Sequence, residues 1–110
     1  MNEAQFSEAV EQIFAAIEDA VDDSGAALDY EGGNGLLTID CEDSDTQVII
    51  SRQVAMKQIW VAAKSGGFHC DYVADDNEWR CTTTSESLKT LINRVLSEQS
   101  NQAIELDWTH

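Results

Sequence analysis

Thirteen Asp and Glu precede Arg52, and not one Lys, Arg or His does. From Arg52 onward eight acids face six Lys and Arg, so the formal net charge of −15 is a property of the first half. Crowded like charge works against a compact state by self-repulsion. This half can fold only with its carboxylates at the surface, and it calls for a reason: a cation, a basic partner surface, or solubility.

The chain has 110 residues, 43% hydrophobic and 25% charged. That is enough for one domain, spanning 1–110, with one core, and it is not the composition of a disordered segment. The longest apolar runs are five residues, such as Ile59 to Ala63, where a membrane-spanning helix takes about twenty. Met1-Asn2-Glu3-Ala4 lacks the basic and apolar regions of a secretory leader and the Arg of a transit peptide, so neither is expected. Cys41, Cys70 and Cys81 are odd in number and widely spaced, which suits small core residues in a reducing cytoplasm. A pI near 4.1 argues against nucleic acid and anionic membrane as partners.

Phe6, Val10, Ile13, Phe14, Ile17 and Val21 recur at helical spacing and predict a helix from Glu3 to Asp23, stopped at Gly25. Glu8, Glu11, Glu18, Asp19 and Asp22 fall on its other side. Gly32, Gly33 and Gly35 punctuate the chain before strands begin at Leu37–Cys41. Further strands are expected at 47–51, 58–62, 68–73 and 78–81, with short connections that make an antiparallel meander. Thr83-Thr84-Ser85-Glu86 reads as a capping box, with Thr83 as N-cap of a last helix that buries Leu88, Leu91, Ile92, Val95 and Leu96. The tail Ala103–Asp107 is expected against the helices or the sheet edge. Two one-sided helices bracketing one sheet predict an α+β, two-layer sandwich, both helices on one face and the other face open to solvent.

Several groups bear on chemistry. Glu18 and Asp22 are one turn apart, as are Asp19 and Asp23, and the last two acids sit where the helix dipole disfavours anions. Such a cluster suits a hard or borderline cation, a basic protein surface, or simply solvation. Asp40, Glu42, Asp43 and Asp45 lack the Gly and Glu of a calcium-binding EF-hand loop and read as strand-end and turn acids. Trp60 points to the open face if Ile59 and Val61 point inward, which makes it a candidate contact anchor. His69 and Asp71 share a strand face and form half a metal site. His69 and Cys70 point to opposite faces and form no catalytic couple. No catalytic motif is present.

An acidic first helix, a strand with Arg52-Gln53, the run Gln58-Ile59-Trp60-Val61-Ala62-Ala63-Lys64-Ser65-Gly66-Gly67-Phe68-His69-Cys70-Asp71-Tyr72, Trp79 and a final helix resemble the frataxin family in its bacterial, CyaY-type branch. The resemblance covers nearly the whole chain. It implies two helices on one face of an antiparallel sheet, weak binding of iron (Fe²⁺ or Fe³⁺) by surface carboxylates with other divalent cations able to substitute, and a part in iron–sulfur cluster assembly. Carried over by position, the metal-binding ridge is Glu18, Asp19, Asp22, Asp23, Asp29 and Glu31, with Glu3 added to it. His69 and Asp71 match the bacterial Gly-Gly-aromatic-His-x-Asp pattern. Glu18, Asp19, Asp22 and Asp23 would also contact a cysteine desulfurase and the scaffold machinery, joined by Gln53 and Trp60 on the sheet. The chain departs from the family where Ser24-Gly25-Ala26-Ala27 is uncharged, where Val54-Ala55 replaces a common Pro, and where Ser51 replaces a common Asn. The first implies a shorter ridge, and the second a looser loop.

The expected function is thus that of a non-enzymatic, iron-binding regulator or iron supplier of cluster assembly, monomeric unless metal drives association. The rival is an acidic interaction module that docks on a basic enzyme and binds metal incidentally. An acidic DNA mimic has too short a stripe for support, and iron storage lacks a buried Glu-x-x-His arrangement.

Overall fold

The structure, a computed structural model, describes residues 1–108. Helix α1 spans Glu3–Ser24, and six strands follow: β1 Leu28–Gly33, β2 Leu36–Cys41, β3 Thr46–Gln53, β4 Gln58–Ala63, β5 Gly66–Val73 and β6 Glu78–Cys81. Helix α2 spans Leu88–Ser100. The strands form one antiparallel sheet in the order β1-β2-β3-β4-β5-β6, the expected meander.

Local sequence accounts for the bounds of α1. The Asn2 side chain accepts from Gln5 N–H and the Gln5 side chain accepts from Asn2 N–H, so two orphan donors are satisfied reciprocally. Gly25 takes φ 67° past the last turn, a conformation that costs glycine nothing. Between these ends Phe6, Val10, Ile13, Ile17, Ala20 and Val21 are buried.

Two features depart from the sequence reading. Strand β1 is a sixth strand where punctuation was expected. Half-buried Leu28 and Tyr30 alternate in it with exposed Asp29 and Glu31. The two-residue loop Asn34-Gly35, with φ 54° and 76°, then turns it into β2. Asn-Gly with both φ positive is the preferred two-residue hairpin turn, and this was the readable signal. The last helix also starts later than Thr83. Its N-cap is Ser87, whose hydroxyl accepts from Thr90 N–H at 3.2 Å. Glu86 makes no reciprocal cap, because Arg94 takes both of its carboxylate oxygens at 2.9 Å. Competition from a guanidinium with matched fork geometry overrides the local capping pattern.

Both helices cover one sheet face. Leu37, Ile39, Val48, Ile50, Ile59, Val61, Cys70, Trp79 and Cys81 point into the core, joined by the stripe of α1 and by Leu88, Leu91, Ile92, Val95 and Leu96 of α2. Trp79 meets Phe6 edge-on, with ring centroids 5.8 Å apart. The tail lies along α2, as expected: Asn93 and Leu106 exchange two hydrogen bonds, and Ile104, Leu106 and Trp108 are buried. Val54–Met56, where Val54-Ala55 stands in place of a common Pro, forms one 3-10 turn. Cys41, Cys70 and Cys81 are free and buried.

The acidic edge and the open sheet face

The acids of α1 converge on the edge strand. Tyr30 reaches across from β1 and donates its hydroxyl to Asp22 Oδ2 at 2.9 Å. That bond to Asp22, followed by burial and the charges of Asp22, Glu18 and Asp19, raises the Tyr30 phenol above its ordinary value. Glu18 folds over Gly32, where a Cβ would lie 2.6 Å from its Oε2. Any side chain at Gly32 would push Glu18 off the strand. Asp19, Asp22 and Asp23 are exposed.

The opposite face of β1 carries a second acidic group. Asp29 stands directly across from Asp40 on β2, and Glu31 from Thr38. Directly opposed like charges cost a few tenths of a kcal/mol or more. Gln47 on β3 relieves part of this by donating to Asp40 Oδ1 at 2.7 Å. Asp29, Asp40, Glu42 and Asp45 border an open hollow of about 590 Å³. The residues Glu42–Asp45 are a turn, as their types imply. Since β1 is the sheet edge, its two faces join into one acidic border.

Ion pairing is divided along the chain. Among the described residues the salt bridges are Arg80 with Asp76 and Glu78, Lys89 with Asp107, and Arg94 with Glu86 and Glu98. None of the thirteen acids before Arg52 takes part. Among the described residues, too, no three His, Cys, Asp or Glu side chains are grouped as a ready-made metal ligand set.

The remaining candidates lie elsewhere. Glu3 is in the first turn of α1, about 24 Å along the helix axis from Asp19. His69 and Asp71 sit on β5, four strands from β1, on the open face. His69 lies flat on Trp60, with centroids 4.2 Å apart and planes 6° apart. Trp60 Nε1 donates to Gln58 Oε1 at 2.8 Å, and Gln58 Nε2 donates to Asp71 Oδ1 at 2.9 Å. Gln53 stands across from Gln58 and donates to Ser51 Oγ at 3.2 Å. Gln53, Gln58, Trp60, His69 and Asp71 are therefore one patch across β3, β4 and β5. It is distinct from the acidic border. Two members of these sites were not singled out in the sequence. Tyr30 was hidden with β1, and Gln58 shows its role only once its register with Asp71 is known.

The relationships to known proteins agree with this fold. Residues 1–102 match the family model of the frataxin-like domain. The proteins named iron-sulfur cluster assembly protein CyaY in Pseudomonas paraeruginosa and Pseudomonas aeruginosa are 45% identical over 105 residues, covering 96% of both chains. The protein of that name in Stutzerimonas stutzeri is 39% identical over 107 residues, covering 97% of this chain and 96% of its own. The solved structure of frataxin from Psychromonas ingrahamii, studied as a model of stability modulation within the CyaY family, superposes with a TM-score of 0.86 at 28% identity, covering 96% of this chain and 97% of its own. The chain belongs to the frataxin family, in its bacterial CyaY branch.

Proposed function

We propose that this protein serves iron–sulfur cluster assembly in the cytoplasm as a binding protein rather than an enzyme, presenting its acidic border to iron and to a cysteine desulfurase. The relatives named above carry the assembly role in their names. The observation that carries the proposal is the division of ion pairs: every acid before Arg52 is left without an intramolecular cation partner among the described residues. Unpaired carboxylates on a folded surface hold free energy that an external cation releases.

Glu18, Asp19, Asp22 and Asp23 on the helix side and Asp29 and Glu31 on the strand side are the ridge. Oxygen donors without a fixed cage bind Fe²⁺ weakly and with little selectivity. Iron is here a cargo, held long enough to be passed on or sensed. A basic groove on the desulfurase would meet the same ridge, and opposite fields speed such encounters. The patch of Gln53 and Trp60 supplies the less polar half of the contact, since a half-buried Trp beside ordered amides resembles an interface anchor. His69, held against Trp60, and Asp71, held by Gln58, act there first. Their distance from the ridge makes them a separate, weaker metal position, and Glu3 is another.

Binding to the desulfurase and its scaffold, measured with and without Fe²⁺, tests this. Asp22→Lys/Asp23→Lys should abolish salt-sensitive binding, and Trp60→Ala should weaken it while sparing metal binding. Wild-type protein that binds the desulfurase under no condition would overturn the proposal.

A further inference from the structure

The two thiols at the far edge of the sheet have no part in that reading. Cys70 on β5 and Cys81 on β6 are direct cross-strand partners, and both point into the core. Cys81 N–H does not bond back to Cys70; it donates to Glu86 O at 2.8 Å. The ladder bond falls on the next pair instead, Thr82 N–H to His69 O at 2.9 Å. Cys70 and Cys81 therefore occupy a narrow, non-hydrogen-bonded position, where Cα atoms stand about 4.5 Å apart and side chains lie closest. A disulfide spans Cα separations of about 4.4–6.8 Å. Cys41 is on β2, three strands from β5, and cannot compete.

We propose that Cys70 and Cys81 are an oxidation site, closing a reversible intramolecular disulfide by exchange with a low-molecular-weight disulfide of the glutathione class. Cys81 is the entering thiol. It sits on the four-residue edge strand, next to the exposed segment Thr82–Ser85, in which Ser85 holds φ 63°. Short edge elements with exposed flanks open locally at the lowest cost. Burial opposes ionisation of Cys81, but hydrogen bonds involving Thr83 and Thr84 outweigh it and hold the thiol below the ordinary range. Cys70 is the resolving thiol, fully buried directly across from Cys81 on β5. The Cys81 thiolate attacks one sulfur of the small disulfide and releases one small thiolate, leaving a mixed disulfide on Cys81. Cys70 then gives up its proton and attacks Cys81 Sγ, releasing the second small thiol. The two protein thiols lose two electrons and two protons in all, and the reagent takes up both. The new bond staples β6 to β5 beneath His69.

The sequence allows a direct test. Trypsin cleaves after Lys64, Arg80 and Lys89, so Cys70 falls in peptide 65–80, Cys81 in 81–89, and Cys41 in a peptide that ends no later than Arg52. The full chain is equilibrated in graded ratios of oxidised to reduced glutathione, quenched in acid, alkylated under denaturing conditions and digested without reduction. Reduced protein should carry alkyl groups on all three cysteines. Oxidised protein should carry one, on Cys41, with peptides 65–80 and 81–89 recovered as one cross-linked species that excess reduced glutathione separates. Full alkylation at the oxidising end, or a link that includes Cys41, would overturn the proposal. In Cys70→Ala a stable glutathione adduct should accumulate on Cys81, and its absence would overturn the order of attack.

Discussion

The Tyr30 hydroxyl donates to Asp22 Oδ2 at 2.9 Å, tying the edge strand β1 to the last turn of α1 across the most acidic part of the surface. A neutral phenol can give that bond, and a phenolate cannot. With Asp22 bonding, burial and the neighbouring charges all raising the folded-state value, Tyr30 stabilises the fold fully below the ordinary tyrosine value of 10.0, and the contribution is lost as pH rises through the folded value. Ultraviolet titration should therefore show one tyrosine ionising later than in a model peptide. Asp22→Asn should bring it back toward normal. A titration unchanged by Asp22→Asn would remove Asp22 as the cause.

The unpaired acids make stability depend on ions. Screening by NaCl weakens repulsion between exposed carboxylates without touching the core, so the melting temperature should rise between low and physiological salt. A gain of about 1 kcal/mol corresponds to roughly 4 °C in a domain of this size. Millimolar Mg²⁺ or Mn²⁺ should exceed the effect of NaCl at equal ionic strength, because bound cation adds mass action to screening. Asp19→Asn/Asp23→Asn should raise the starting value and shrink both responses. A melting temperature that is flat or falls across the NaCl series would sink the repulsion argument.

The start of α2 separates two readings of the same residues. Ser87 caps the helix by accepting from Thr90 N–H. Ser87→Ala should cost about 1 kcal/mol in denaturant unfolding. Thr83→Ala, at the position that the local motif favours, should stay within about 0.5 kcal/mol, as exposed substitutions do. The reverse order would restore Thr83 as the cap.

That contrast shows what a sequence of this kind discloses. Phe6 to Val21 and Leu88 to Leu96 repeat at helical spacing, and Leu37 to Cys41 alternates, so both layers and the meander were legible from periodicity alone. Trp60 was placed on the open face by the same alternation. The acidic half was visible as composition, but its shape was not. Leu28 and Tyr30 give only two inward residues before Gly32 and Gly33, too few for a clear period, and the turn signal at Asn34-Gly35 was the better clue. Glu86 satisfied a local pattern while a guanidinium eight residues away held it. Tertiary partners of that kind leave no local trace, and neither does the cross-strand register that sets Cys70 against Cys81 or Gln58 against Asp71.

The Glu86–Arg94 pair makes a final prediction, about acid. Both guanidinium bonds are 2.9 Å, and the carboxylate is the more buried partner, with side-chain exposures of 19% for Glu86 and 36% for Arg94. The Arg94 bonds hold Glu86 below its ordinary carboxylate value, with burial opposing and Thr84 adding to the fall. A depressed folded-state value gives stability that is complete above the unfolded value of 4.5 and fades as pH falls through the folded one. Because Arg94 is partly solvated, the coupling is about 1 kcal/mol rather than the full worth of a desolvated fork. A double-mutant cycle of Glu86→Gln and Arg94→Gln at neutral pH should return that figure, and the coupling should vanish near pH 2. Coupling that persists unchanged in acid would show that packing of the two stems, and not charge, joins α2 to the loop before it.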